Sequence, residues 1–147
     1  MEAMTRGNGD AETAIELAAH GLRATRQRIA VLEQLRRAPA HPTAAELYRQ
    51  LLRKQPNLSL KTVYDALDAL VGAGLASCVT GGGAPYRYEA NAAPHYHAQC
   101  RVCGSLVDVP ASADGPIRGR TRLPEGFEVD EIRVTLVGRC PGCRDAI

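Results

Sequence analysis

The feature that most constrains this chain is a pair of cysteine knuckles, Cys100-x-x-Cys103 and Cys140-x-x-Cys143, with 36 residues between them. A Cys-x-x-Cys turn presents two sulfurs to one point, so two such turns complete a tetrahedral shell of four thiolates around a single ion. The fold must therefore bring residues 100–103 and 140–143 together. Gly104 and Gly142 are placed to supply the tight backbone such turns need. The ion expected is a structural Zn(2+), because four thiolates saturate it and leave no open position for catalysis. A pair of disulfides is the competing reading, and it describes the same cysteines once the metal has left, since oxidised thiols hold no zinc. Cys78 stands apart and is expected to pack as a small apolar residue rather than act as a reactive thiol.

At 147 residues the chain is long enough for one domain or two small ones. No run approaches the roughly 18 apolar residues of a membrane span. Residues 1–10 are polar and lack the apolar stretch of a secretory signal. A cytoplasmic location is expected, where thiols stay reduced and metal is the default partner of paired cysteines. The net charge of +2 is unevenly spread. Residues 22–61 hold nine Arg or Lys against Glu33 and Glu46, whereas residues 91–147 balance seven Arg with seven Asp or Glu. The first half thus carries a basic field that phosphates attract, or else a merely solvated basic surface.

Helix signals crowd that first half. Residues 1–10 read as disordered, and 11–20 as a short helix ended by Gly21. Thr25 can cap a helix in which Ile29, Leu32 and Leu35 recur at helical spacing before Pro39. Over 43–54, Thr43 and Glu46 form a capping-box pattern ahead of the stripe Leu47, Leu51 and Leu52. Ser59 caps a helix over 60–73 that buries Val63, Leu67, Leu70 and Val71 and turns Lys61, Thr62, Asp65 and Asp68 outward. Segments 76–80 and 86–89 flank Gly81-Gly82-Gly83 and read as a β-hairpin. Three helices and a hairpin, in that order, predict a winged helix-turn-helix, in which the third helix enters the major groove. Past a hinge over 91–94, strands are expected over 96–102 and 105–109. Residues 112–123 are ambiguous because Gly115, Pro116 and Gly119 weaken a helix. The alternation over 127–137 predicts one long strand. A half of about 55 residues is marginal alone and would gain from zinc and from dimerisation.

A second donor set contains no sulfur. His95 and His97 alternate on one strand and so point to one face. Glu89 precedes the hinge, Asp108 lies on the following strand, and His41 sits between two helices beside Pro42. Imidazole with carboxylate suits Fe(II), Mn(II) or Zn(II) rather than a soft thiolate-seeking ion. None of these residues specifies a metal when taken singly.

Taken together, the motifs resemble a known family. They are Gly21-Leu22-Arg23, residues 25–28, His41-Pro42-Thr43-Ala44, residues 59–64, His95-Tyr96-His97 and both cysteine pairs. This order, spanning about residues 20–144, is similar to the ferric uptake regulator (Fur) superfamily. The nearest likeness is to its peroxide-sensing, PerR/CatR-like branch, because His95-Tyr96-His97 stands where iron-sensing members are richer in histidine and Asp108 where they usually carry Glu. The resemblance implies that His41, Glu89, His95, His97 and Asp108 hold a regulatory Fe(2+) or Mn(2+). It implies a homodimer, paired through its C-terminal halves, on double-stranded DNA with a palindromic operator. Arg23, Lys61, Thr62 and Tyr64 are then the candidate DNA contacts, and His41 and His95 the imidazoles that peroxide chemistry oxidises. Three residues depart from the pattern, among them Arg26, which falls where many members carry another residue but adds charge in the useful direction. Glu89 stands where the peroxide branch usually has Asp, and Asp65 puts an acid on the outer helix face where a basic or neutral residue is usual.

The expected fold class is therefore α/β (α+β). A winged helix-turn-helix DNA-binding domain occupies 1–90, a hinge 91–94, and a small α/β dimerisation domain with the four-cysteine zinc site 95–147. The expected function is a metal-dependent repressor of peroxide-stress genes, with no small-molecule substrate other than peroxide. The alternatives are a metal-availability regulator of the same family and a thiol redox switch or zinc-ribbon interaction module without a DNA role. An enzyme is not expected, since no nucleophile or general base stands beyond the ligands themselves.

Overall fold

The computed structural model describes residues 3–38, 41–79, 85–90, 95–110, 121–130 and 132–145. They fall into two compact units, Met1–Ala92 and Ala93–Ile147.

The first unit opens with α1 (Ala3–Ala19), followed by α2 (Arg26–Arg37), α3 (Ala44–Leu52) and α4 (Leu60–Gly72). Its starts are set by capping side chains. Thr25 accepts from the Arg28 amide, Ser59 from the Thr62 amide, and Thr43 with Glu46 closes a reciprocal capping box. Gly21, at φ 77°, stops α1 while the Leu22 amide donates back to the Leu17 carbonyl at 2.9 Å. Leu17, Val31, Leu32, Leu47, Val63, Leu67 and Leu70 are fully buried and form one core across all four helices. Strands β1 (Ser77–Val79) and β2 (Arg87–Glu89) pair antiparallel, with Cys78 opposite Tyr88. The glycines expected to turn this hairpin, and the expected hinge, lie outside the described residues.

One expectation for this unit is overturned. Residues 1–10 read as disordered, yet α1 begins at Ala3. The helix is held from its later turns, where Leu17 is fully buried, Thr13 hydrogen-bonds Glu33, and Glu16 meets Arg36 at 2.7 Å. Once those turns are fixed, each upstream residue adds a hydrogen bond at little further cost.

The second unit is a three-stranded sheet in the order β4-β3-β5, with β3 (His95–Cys100) at its centre. β4 (Leu106–Pro110) runs antiparallel to it and β5 (Thr135–Gly138) parallel. A single helical turn, α5 (Pro141–Arg144), follows. The long strand expected over 127–137 is reduced to β5. The ladder with β3 starts at the pair Thr135 and His97, and among the described residues over 127–134 none is in a strand. Alternation gives a tendency to extend, and only a partner makes it a strand. The ambiguous stretch over 112–123 lies mostly outside the described residues. Among the described residues, no helix is long and apolar enough to cross a membrane.

Candidate metal centres and nucleic-acid face

The cysteine cluster is built where strands end. Cys100 is the last residue of β3, and the turn after it closes with the Gly104 amide donating to the Cys100 carbonyl at 2.9 Å. Gly104 holds φ 75°, which an L side chain resists. Cys140 follows β5 and caps α5, whose turn brings Cys143 round to the same point. Gly142 does not play the part expected of it, because it is not among the described glycines with positive φ; Pro141 opens an ordinary helical turn there instead. The parallel ladder sets the two knuckles side by side, and the Arg101 amide donates to the Gly138 carbonyl at 2.9 Å.

All four sulfurs lie within 4.8 Å of one another, and none of the five cysteines is in a disulfide. Hydrogen bonds from the Cys103 and Cys140 backbone push the Cys100 thiol down to about 6. Ser105, whose Oγ lies 3.2 Å from Cys103 Sγ, lowers Cys103 as well. Sharing hydrogen bonds with Cys140, then burial, pushes Cys143 up to about 12. The protein alone thus favours thiolates at Cys100 and Cys103 and a protonated thiol at Cys143. Four thiolates at this spacing require a cation to neutralise them, and tetrahedral sulfur is the shell zinc prefers.

Each unit also carries part of the imidazole–carboxylate set. In the first, His41 enters from the loop ahead of α3 and Glu89 from the end of β2, and both are buried. His41 Nε2 lies 2.8 Å from Glu89 Oε2. In the second, His95 and His97 leave β3 on one face, with their Nε2 atoms 3.1 Å apart. Asp108 is the cross-strand partner of His97, and its Oδ1 lies 3.7 Å from His95 Nε2 and 3.6 Å from His97 Nε2. Nitrogen and oxygen donors converge within each unit with no sulfur among them.

The candidate nucleic-acid residues differ in availability. Arg23 is exposed in the turn before α2, where its carbonyl receives Arg28 Nη1 at 3.0 Å. On α4, Tyr64 is exposed, whereas Lys61 is held by Asp65 at 2.7 Å, which raises its pKa. Thr62 spends its hydroxyl on Ser59 Oγ, 2.7 Å away, at the helix cap. Cys78 packs half-buried against the helical core, in keeping with a small packing residue.

Sequence reasoning missed Arg87. It sits two residues before Glu89 on β2 and donates from Nη1 to the His41 carbonyl at 2.8 Å. The signal available was a basic residue sharing a strand face with a candidate ligand.

Residues 19–137 match the model of the ferric uptake regulator family. The chain is 37% identical to the peroxide operon regulator of Bacillus subtilis over 123 residues, which is 84% of this chain and 85% of that protein. It is 33% identical over 134 residues to the peroxide-responsive repressor PerR of Staphylococcus aureus, covering 91% of this chain and 90% of the relative. Among solved structures, the ferric uptake regulator of Pseudomonas aeruginosa with manganese superposes with a TM-score of 0.70 at 28% identity, over 86% of this chain and 96% of the other.

Proposed function

Because the chain belongs to the ferric uptake regulator family of metal-dependent transcriptional regulators, which bind DNA operators as dimers, we propose that it represses peroxide-stress genes and senses hydrogen peroxide through oxidation of a histidine ligand. The observation that carries this reading is the convergence, inside each unit, of buried or half-buried imidazoles with a carboxylate: His41 on Glu89, and His95 and His97 on Asp108. The likeness to peroxide regulators from two organisms supports the finer assignment.

In this reading His41, Glu89, His95, His97 and Asp108 hold one regulatory Fe(2+) or Mn(2+), and the four cysteines hold a structural Zn(2+). The donor sets fit these ions, hard nitrogen and oxygen in one case and four sulfurs in the other. Fe(II) held there would supply the redox chemistry that splits the O–O bond of peroxide, one oxygen passing to an imidazole C–H and the other leaving as water. His41 and His95 are the rings that take up oxygen. An oxidised ring binds metal poorly, so the ligands contributed by residues 1–90 and those contributed by 95–147 cease to share an ion. Shared ligation biases the dimer toward the pose in which two α4 helices meet successive major-groove faces, and its loss removes that bias. Arg23, Lys61, Thr62 and Tyr64 contact DNA in this pose. Val107, Leu136 and Val137, apolar and exposed on the small sheet, are surface that a second copy covers. Reduced thiolates fit a cytoplasmic protein.

Glu89 favours a second reading, a metal-availability regulator without peroxide chemistry. Peptide mass spectrometry on Fe(II)-loaded protein before and after a brief, low peroxide dose separates the two. Trypsin releases His41 within residues 38–49, and His95 with His97 within 88–101. One added oxygen on His41 or His95, absent from the Mn(II)-loaded sample and accompanied by loss of operator binding, is the expected result. Unmodified peptides in a sample whose DNA binding still follows the metal would leave the second reading.

A further inference from the structure

We infer that Arg87 is a positioning residue for the regulatory metal, fixing His41 through its main chain; the inference rests on the reading of His41 and Glu89 as ligands. Alternation on β2 places Arg87 and Glu89 on one strand face and turns Tyr88 into the core, where it is 4% exposed. The side chains of Arg87 and Glu89 grip the same residue at its two ends. Glu89 Oε2 lies 2.8 Å from the His41 imidazole, and Arg87 Nη1 lies 2.8 Å from the His41 carbonyl oxygen. The next two loop residues are stitched to the same strand, through the Tyr88 amide donating to the Pro42 carbonyl at 2.9 Å and the bridge between Thr43 and Arg87.

The guanidinium is itself aimed. Its Nη1 lies 3.8 Å from Glu46 Oε2, and that carboxylate oxygen also receives the Thr43 amide at 3.0 Å in the capping box of α3. Arg87 Nε is buried and has no hydrogen-bond partner among the described residues, so the guanidinium is held through Nη1. The start of α3, the His41 loop and the strand bearing Glu89 therefore form one hydrogen-bonded body with Arg87 at its junction. A histidine on a loop between two helices has no secondary structure of its own to orient it, and a ligand so placed owes its geometry to the groups that hold its backbone. Both contacts are made from the one Nη1 nitrogen, whose N–H directions are fixed by the planar guanidinium, whereas a lysine ammonium rotates freely on a flexible stem.

The test is a Co(II) titration of the full-length, zinc-loaded protein, read by the visible d–d absorption of the nitrogen–oxygen site, with thermal unfolding of the same samples before Co(II) is added. Arg87→Met should weaken Co(II) binding about 10- to 100-fold and alter the band shape while the unfolding midpoint stays near the parent's. Arg87→Lys should recover part of the affinity. His41→Ala should abolish the spectrum. If Arg87→Met binds with the parent's affinity and spectrum while His41→Ala does not bind, the positioning role is refuted and the metal reading stands. If His41→Ala binds like the parent, both are refuted. Should Arg87→Met fail to fold, Arg87→Lys decides: a loss of about tenfold with a changed band supports the role, and an unchanged curve and band refute it.

Discussion

Replacing Cys140 with Ser removes one of four sulfurs that lie within 4.8 Å of one another. Its consequence follows from how little else holds residues 95–145 together. Among the described residues of that unit, Cys100 is the one that is buried, at 4% exposure. Its sheet consists of five residue pairs between β3 and β4 and four between β3 and β5. A core in so small a unit supplies at most about 3–5 kcal/mol. A structural zinc contributes about 10–16 kcal/mol of apparent binding free energy, so losing even a quarter of it removes about 2.5–4 kcal/mol. That equals what the sheet has without the metal. The Cys140→Ser protein should therefore lose protection of β3 and β4 in amide hydrogen exchange read by mass spectrometry. The helices α2 and α4, whose leucines are buried in a separate core, should keep theirs. Metal analysis on the same sample should show zinc reduced. Parent-level protection over residues 95–110 in a zinc-depleted variant would refute the argument that the metal, rather than apolar burial, sustains this sheet.

Two further predictions come from the first unit. Burial pushes the Tyr88 phenol up to about 12 from its ordinary 10, so its contribution to stability is intact below pH 10 and is lost as pH rises towards 12. Urea unfolding of the parent should lose more stability across that interval than Tyr88→Phe, by on the order of 1 kcal/mol once solvent screening is allowed for, and parallel profiles would contradict this. Asp65 holds the Lys61 ammonium at 2.7 Å on the outer face of α4, so Asp65→Asn should release one cation toward phosphate. The slope of log affinity for duplex DNA against log salt should steepen by about one per recognition helix, and an unchanged slope would show that Lys61 does not reach the backbone.

The sequence by itself determined the features that act over a few residues. Thr25, Thr43 and Ser59 mark where α2, α3 and α4 begin, because a cap needs only its own side chain and an amide three residues on. The leucine spacing of α4 named its buried face for the same local reason. The paired knuckles required residues 100–103 and 140–143 to meet, since a tetrahedral ion admits no other arrangement of four sulfurs. The tertiary structure alone decided what depends on distant partners. β5 is four residues long because its ladder with β3 starts only at the pair Thr135 and His97, whatever the alternation before Thr135. α1 reaches Ala3 because Leu17 and Thr13 are anchored on α2, a contact that the polar composition of residues 1–10 could not reveal. Lys61 faces outward as its helical position requires, yet its neighbour Asp65 holds its charge. His41 meets Glu89 and Arg87 across more than 40 residues of chain. Periodicity and capping carry information over about one helical turn, whereas such pairs are specified by how whole elements pack, which no local pattern records.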